Sequence, residues 1–134
     1  MKRYLLDTSA LLTLRDDEPG ADRVAELLRN SEIHCLACFM TRMEVLYRVW
    51  KDEGELAGKF ALQQCLALPI KWIESSNDLL LRAAELKARF PLSLADAWIA
   101  AAAIKHDAIL IHKDPEFKRL KLEQELLPFK SSDE

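Results

Sequence analysis

Asp7, Glu44, Asp96 and Asp114 are the residues of this chain whose positions point to chemistry. Asp7 directly follows the apolar run at residues 3–6, and Asp114 stands three residues past Ile111, at the exit of the run at 108–111. Glu44 falls in the first turn of the helix expected after the run at 33–37, and Asp96 opens the helix that leads into 108–111. If the apolar runs are parallel strands, their carboxyl ends border a single crevice. Four carboxylates gathered there repel one another unless a cation neutralises them. The donors are all hard oxygens, with no Cys or His in the set, which suits Mg2+ or Mn2+ better than zinc or copper. A carboxylate cage around one or two such ions fits phosphodiester hydrolysis, where the metal activates water and steadies charge on the attacking and leaving oxygens.

Plainer roles are open to each acid. Thr41-x-x-Glu44 and Ser93-x-x-Asp96 have the spacing of capping boxes, in which the acid satisfies amides at a helix start. Asp7 and Asp114 fit ordinary turns. Asp96 is the most demanding, because residues 94–104 are apolar nearly all round and such a helix is buried on most faces. A carboxylate at its start is partly desolvated, which is costly without a partner. Convergence of all four is therefore the informative property, and it depends on the elements that carry them.

Short apolar runs at 3–6, 33–37, 70–73 and 108–111 read as strands, with 126–129 as a weaker fifth that Pro128 pushes to an edge. Helical patterns fill the intervals at 9–14, 20–29, 41–52, 55–66, 77–89 and 94–105. Strands separated by such helices cannot pair as hairpins, so the economical arrangement is a parallel sheet of βαβ units. The runs do not alternate cleanly, as expected of strands covered on both faces. The expected fold is a three-layer α/β/α domain around a central, mainly parallel sheet of four or five strands.

With 134 residues, half of them apolar and 31% charged, the chain fits one globular domain over 1–134, with the last four residues expected to fray. The net charge is −3, so the whole surface is no cationic sponge for nucleic acid. Neutralising four of the 22 acids brings the balance close to the 19 basic residues, so a metal-filled protein could accept a polyanion. Arg42, Arg48, Lys105 and Lys113 lie near the same ends in sequence and are candidates to guide a phosphate backbone, though each also fits a solvated surface charge. No stretch approaches the ~20 apolar residues of a membrane span. Asp7 interrupts the N-terminal run too early for a secretory signal, and three cysteines form a sparse, odd set, so a reducing cytoplasm is expected.

Rival chemistry comes from Cys35-Leu36-Ala37-Cys38, a C-x-x-C near a strand-to-helix transition, where redox motifs often sit. Both cysteines belong to an apolar run and fit buried packing instead. A zinc site from His34, Cys35, Cys38 and Cys65 lacks a completing motif, and strand geometry turns Cys35 and Cys38 to opposite faces. Trp50, Phe60, Trp72, Phe90 and Trp98 lie among apolar neighbours and read as packing.

Four segments together resemble the PIN-domain family, and in length the chain is similar to the VapC-type ribonuclease toxins of toxin–antitoxin pairs. They are Leu5-Leu6-Asp7-Thr8-Ser9-Ala10-Leu11, Thr41-x-x-Glu44-Val45-Leu46, Leu94-Ala95-Asp96-Ala97-Trp98-Ile99, and Ile109-Leu110-Ile111-His112-Lys113-Asp114-Pro115-Glu116-Phe117. The resemblance implies that Asp7, Glu44, Asp96 and Asp114 hold Mg2+ or Mn2+ and support endonucleolytic cleavage of RNA. It further implies a homodimer and inhibition by a cognate antitoxin. The segments 41–52 and 55–66, with Met43, Leu46, Tyr47, Val49, Trp50, Leu56, Phe60, Leu62 and Leu66, carry more apolar surface than one sheet face needs, which suggests a dimer or antitoxin contact. Ser9 meets the family's hydroxyl position two residues after the first acid and is expected to support Asp7. His112 stands where relatives usually carry Thr or Ser; on a strand it faces the side of Asp114, either filling a polar slot or acting as a proton shuttle or RNA contact. Glu116 is a candidate to assist a second ion. The alternative to an enzyme is a PIN-like module that binds RNA or protein without cutting.

Overall fold

In the computed structural model, residues 1–129 are described; the tail expected to fray lies outside them. Five strands form one parallel sheet in the order β3-β2-β1-β4-β5: β1 (Lys2–Leu6), β2 (Ile33–Cys38), β3 (Lys71–Ile73), β4 (Ile109–His112) and β5 (Gln124–Leu126). Between them run α1 (Thr8–Arg15), α2 (Ala21–Arg29), α3 (Phe39–Glu53), α4 (Glu55–Leu66), α5 (Asn77–Arg89) and α6 (Leu94–Lys105), and a short 3-10 turn covers Pro115–Arg119. The expected three-layer parallel α/β architecture is the observed one.

Consecutive strand residues point to opposite faces, and both faces are covered. Tyr4 and Leu6 pack with Leu11, Val24, Leu27, Val45 and Ala61 beneath α1 to α4. Leu5, Leu36, Cys38 and Leu110 pack with Ile73, Leu79 and the alanines of α6 on the other face. Burial of consecutive residues explains why the strands read as unbroken apolar runs. In α6, Ile99 and Ala100 through Ala103 are fully buried. Their small side chains let the helix lie close on the sheet, and its first turn then projects at the carboxyl edge.

The fifth strand sits earlier than expected, at Gln124–Leu126 rather than 126–129. Its backbone, not its side chains, makes the pairing: Leu110 N–H donates to Glu123 O (3.0 Å) and Leu127 N–H to His112 O (2.8 Å). Pro128 has no amide to extend that ladder, and an edge strand tolerates the polar Gln124 and Glu125. The helix expected at 41–52 begins two residues sooner, directly after β2, so Glu44 lies in its second turn. Gly54, with φ 103°, joins α3 to α4. Gly58 lets the two helices close up, since a Cβ there would stand 2.8 Å from both Leu46 O and Trp50 Cβ.

Candidate metal centre

Strand order reverses between β1 and β4, because the chain builds outward through β2 and β3 before returning to the other side of β1. Crevices at such a switch point are where open α/β sheets bind ligands. Asp7 N–H donates to Ile111 O (3.1 Å), which holds the exits of β1 and β4 side by side.

Asp7 is 3% exposed and caps α1. Its Oδ1 accepts from Ser9 Oγ (2.7 Å) and from Ala10 N–H (2.8 Å). Ser9 Oγ also accepts from Lys113 N–H (3.1 Å), so one hydroxyl ties the first acid to the loop that carries the fourth. Burial, helped by the charges of Glu44 and Asp114, pushes the Asp7 carboxyl up to about 7 against the pull of those two donors.

Glu44 is buried, and a neutral hydroxyl holds one of its oxygens. Thr8 donates its hydroxyl to Glu44 Oε1 (2.6 Å), and Thr41 Oγ1 lies 3.1 Å from the same Thr8 oxygen. Thr41 therefore serves this contact rather than a capping box; Cys38, not Thr41, is the N-cap of α3. Arg48, one turn on, approaches Glu44 Oε2 at 3.8 Å.

Asp96, Asp114 and Glu116 form the tight part of the site: one carboxylate oxygen from each lies within 4.8 Å of the others. Ser93 caps α6 by accepting from Asp96 N–H (3.1 Å), which fixes the backbone and leaves the carboxyl for the crevice. Asp114 caps the 3-10 turn, accepting Glu116 N–H at Oδ1 (2.9 Å). Pro115 starts that turn with its preset φ and folds Glu116 back beside Asp114. Burial raises Asp96 to about 8, helped by contacts with Glu116 and Asp114 that only a protonated carboxyl can make and by the charges of Asp114 and Asp7.

Glu116 thus belongs to the closest group, whereas Glu44 stands on the flanking wall with Asp7. The signal for Glu116 was the Asp-Pro-Glu sequence, which a 3-10 turn makes compact. The set offers only carboxylate oxygens, and the raised proton affinity of Asp7 and Asp96 beside their acidic neighbours is one that a hard divalent cation would relieve.

His112 is 1% exposed and faces the interior rather than the crevice. Its Nδ1 accepts from Asp114 N–H (3.0 Å), so Nε2 carries the proton given to Gln124 Oε1 (2.9 Å), and its ring meets Phe117 edge-on. Gln124 in turn donates to Phe117 O (2.9 Å). Burial lowers the pKa of the imidazole. Both nitrogens are occupied in bracing the Asp114 loop, which fits the polar-slot reading and leaves none for a proton shuttle or RNA contact.

The cations expected near the groove are engaged. Arg42 pairs with Glu74 and lies over the Trp72 ring (5.3 Å). Lys113 Nζ is 3.5 Å from Glu18. Lys105 ends α6, nine residues and ~13 Å along the axis from Asp96, and pairs with Asp78 (3.4 Å). Cys35, Cys38 and Cys65 are buried free thiols pushed upward by burial, with Cys35 and Cys38 in different cores, so the redox and zinc readings find no thiolate. Trp50 (42% exposed) and Phe60 (65%) lie at the surface of α3 and α4, against the expectation of core packing.

A model of the PIN domain matches residues 4–122. Among solved structures, VapBC2 from Rickettsia felis, crystallised with a promoter DNA fragment, superposes with a TM-score of 0.77 at 20% identity, covering 94% of this chain and 99% of its own. A toxin–antitoxin complex from Klebsiella pneumoniae gives 0.65 at 26% identity, over 88% of this chain and 92% of its own. VapC20 of Mycobacterium tuberculosis, titled a sarcin–ricin loop cleaving toxin, gives 0.74 at 18% identity over 93% and 99%. No curated protein sequence gives a significant match.

Proposed function

The chain belongs to the PIN domain family, and we propose that it is a Mg2+- or Mn2+-dependent endoribonuclease, the toxin of a toxin–antitoxin pair. The observation that carries this reading is the joining of Asp96, Asp114 and Glu116 within 4.8 Å, beside the buried Asp7, at the switch point of the sheet. Asp7, Asp96 and Asp114, with Glu116, would hold the cation; Glu44 would complete the cage from the opposite wall. Such a cation supplies an activated water and charge neutralisation at the scissile phosphate. The protein's own contribution is placement. Ser9 and Ala10 both bond Asp7 Oδ1, so Oδ2 is the oxygen left for the cation. Thr8 orients Glu44 in the same way. The Gln124–His112 pair holds the amide of Asp114, and with it the loop that presents two carboxylates.

The antitoxin and a second copy of the chain are the partners we propose, the first supported by the toxin–antitoxin complexes among the similar structures. The exposed apolar side chains Met43, Tyr47, Trp50, Leu56 and Phe60 on α3 and α4 offer the contact surface. Phe60→Asp is expected to weaken that association in size-exclusion chromatography; an unaltered elution and partner binding would remove this surface from the proposal. No helix among the described residues is long and apolar enough to cross a membrane, and the free buried thiols suit the reducing cytoplasm we propose as the setting.

The deciding experiment is incubation of a mixed RNA pool with the protein and with Asp96→Asn, each with Mg2+, Mn2+ or EDTA. Cleavage by the wild type alone, abolished by EDTA, is the expected result. RNA binding without cutting in excess Mn2+ would make the protein a non-catalytic module instead.

A further inference from the structure

The acidic groove leaves open how a polyanion is gripped, because Arg42, Lys113 and Arg48 are each engaged with a carboxylate. At the opposite, amino edge of the sheet the balance is reversed. A cavity of about 380 Å3 is lined by Met1, Arg3, His34, Leu36, Lys71 and His106. Strand register builds it: Arg3 is opposite His34, and Leu36 is opposite Lys71. Residues two apart share a face, so Arg3, His34, Leu36 and Lys71 emerge on one side of the sheet. His106, the C-cap of α6, closes the cavity from the helix layer, and its carbonyl accepts from Arg3 Nη1 (3.0 Å), which steadies the guanidinium.

Among the described residues, none of Arg3, His34, Lys71 and His106 has an ion-pair partner. The acid adjacent in sequence, Asp107, lines a different cavity with Ala103, Ile104 and Lys121. The charges acting on His106 are those of Lys105, Lys71 and Arg3, all positive. This is a concave, uncompensated cationic site in a protein of net charge −3, and its charge suits an anion.

We propose that the cavity is a phosphate-binding exosite that takes a backbone phosphate of the same RNA strand presented to the acidic groove. The guanidinium of Arg3 and the ammonium of Lys71 match phosphate oxygens. The flat imidazole of His34 and the apolar floor at Leu36 suit a base beside that phosphate, a contact an acidic peptide does not make. The two edges divide the labour: charge attraction at the amino edge, chemistry at the carboxyl edge. Naming RNA rests on the ribonuclease reading above; the phosphate site itself does not.

The test follows the imidazole ring resonances of His34 and His106, with buried His112 as internal reference, in EDTA. Inorganic phosphate and, separately, a 20-nucleotide oligouridylate are titrated in. Saturable shifts of His34 and His106 with both probes are expected, weakened several-fold in Lys71→Gln, an exposed position whose side chain makes no hydrogen bond among the described residues. Losing the one phosphate held by Arg3 and Lys71 lowers the salt slope of RNA binding by about 0.7 on the single-strand scale, so Arg3→Gln/Lys71→Gln should show a drop approaching that value. Unmoved His34 and His106 resonances overturn the site. Shifts with phosphate, combined with unchanged RNA affinity and salt slope in the double variant, overturn the RNA assignment. If the wild type cuts RNA while the histidines stay silent, the exosite falls and the nuclease stands; if the histidines respond and no RNA is cut with Mn2+, the reverse holds.

Discussion

On one wall of the acidic groove, Asp7 and Glu44 are held by neutral hydroxyl donors, Ser9 and Thr8. On the other, Asp96, Asp114 and Glu116 crowd against one another and, among the described residues, none of them has an ion-pair partner. The first wall is placed by the fold alone and is deeply buried. The second is shallower, and there burial, with the contacts to Glu116 and Asp114, raises the proton affinity of Asp96, so a proton or a divalent ion is favoured at that carboxyl. What the difference teaches is a separation of roles: one wall sets position, the other creates affinity.

Asp96→Asn breaks the second wall and should have the largest effect. Losing one ligand of several kcal/mol corresponds to a drop in cleavage rate of roughly 10³-fold. The metal-free variant should melt no lower than the wild type, because the Asn amide, like the protonated carboxyl, is neutral and can donate toward Asp114 and Glu116; calorimetry in EDTA checks this. A clear fall in melting temperature would mean that Asp96 is structural.

Proton linkage sharpens the comparison next. Asp7 and Asp96 bind protons more tightly folded than unfolded, so the folded state holds more protons and stability in EDTA falls as pH rises from about 4 to about 8. For buried Asp7, the rise from 3.8 to about 7 is worth ~4 kcal/mol. Added Mg2+ or Mn2+ should restore stability most at the alkaline end. Flat thermal stability across that window, with no metal effect, would contradict the raised proton affinity that burial gives Asp7 and Asp96.

The first wall is probed by Thr8→Val, which keeps the shape but removes the 2.6 Å donor from buried Glu44. An unsatisfied buried acceptor costs about 1–3 kcal/mol, measurable by urea unfolding. Glu116→Gln should be milder, lowering activity less than tenfold and shifting the half-saturating Mn2+ concentration upward. Smallest is Arg42→Gln: with its guanidinium already on Glu74 and Trp72, the KM for RNA should change less than twofold.

The sheet was legible because apolar runs buried on both faces leave a direct trace in sequence, as in Tyr4-Leu5-Leu6. β5 was misplaced because an edge strand made by backbone bonds needs no apolar side chains, as Gln124 and Glu125 illustrate. At the site, Asp7, Glu44, Asp96 and Asp114 were found by their places after strands and at a helix start. The closeness of Glu116 was not, since it depends on a five-residue 3-10 turn whose only written sign is Pro115. The interior direction of His112 escaped alternation logic as well: the ring serves a cross-strand bond to Gln124, whose register no pattern of hydrophobicity reveals. The exposure of Trp50 and Phe60 shows the converse limit, since an apolar residue on an amphipathic helix reads alike whether it faces the core or an absent neighbour.

Helix α3 carries Glu44 on its inner side and Tyr47 and Trp50 on its outer side, and Gly58 clamps it tightly to α4. Both surfaces therefore ride on one rigid rod with a fixed angular phase. Inserting a single residue between Glu44 and Trp50 would rotate one by ~100° relative to the other. An insertion there would uncouple the carboxylate from the apolar face, whereas a substitution leaves their phase intact.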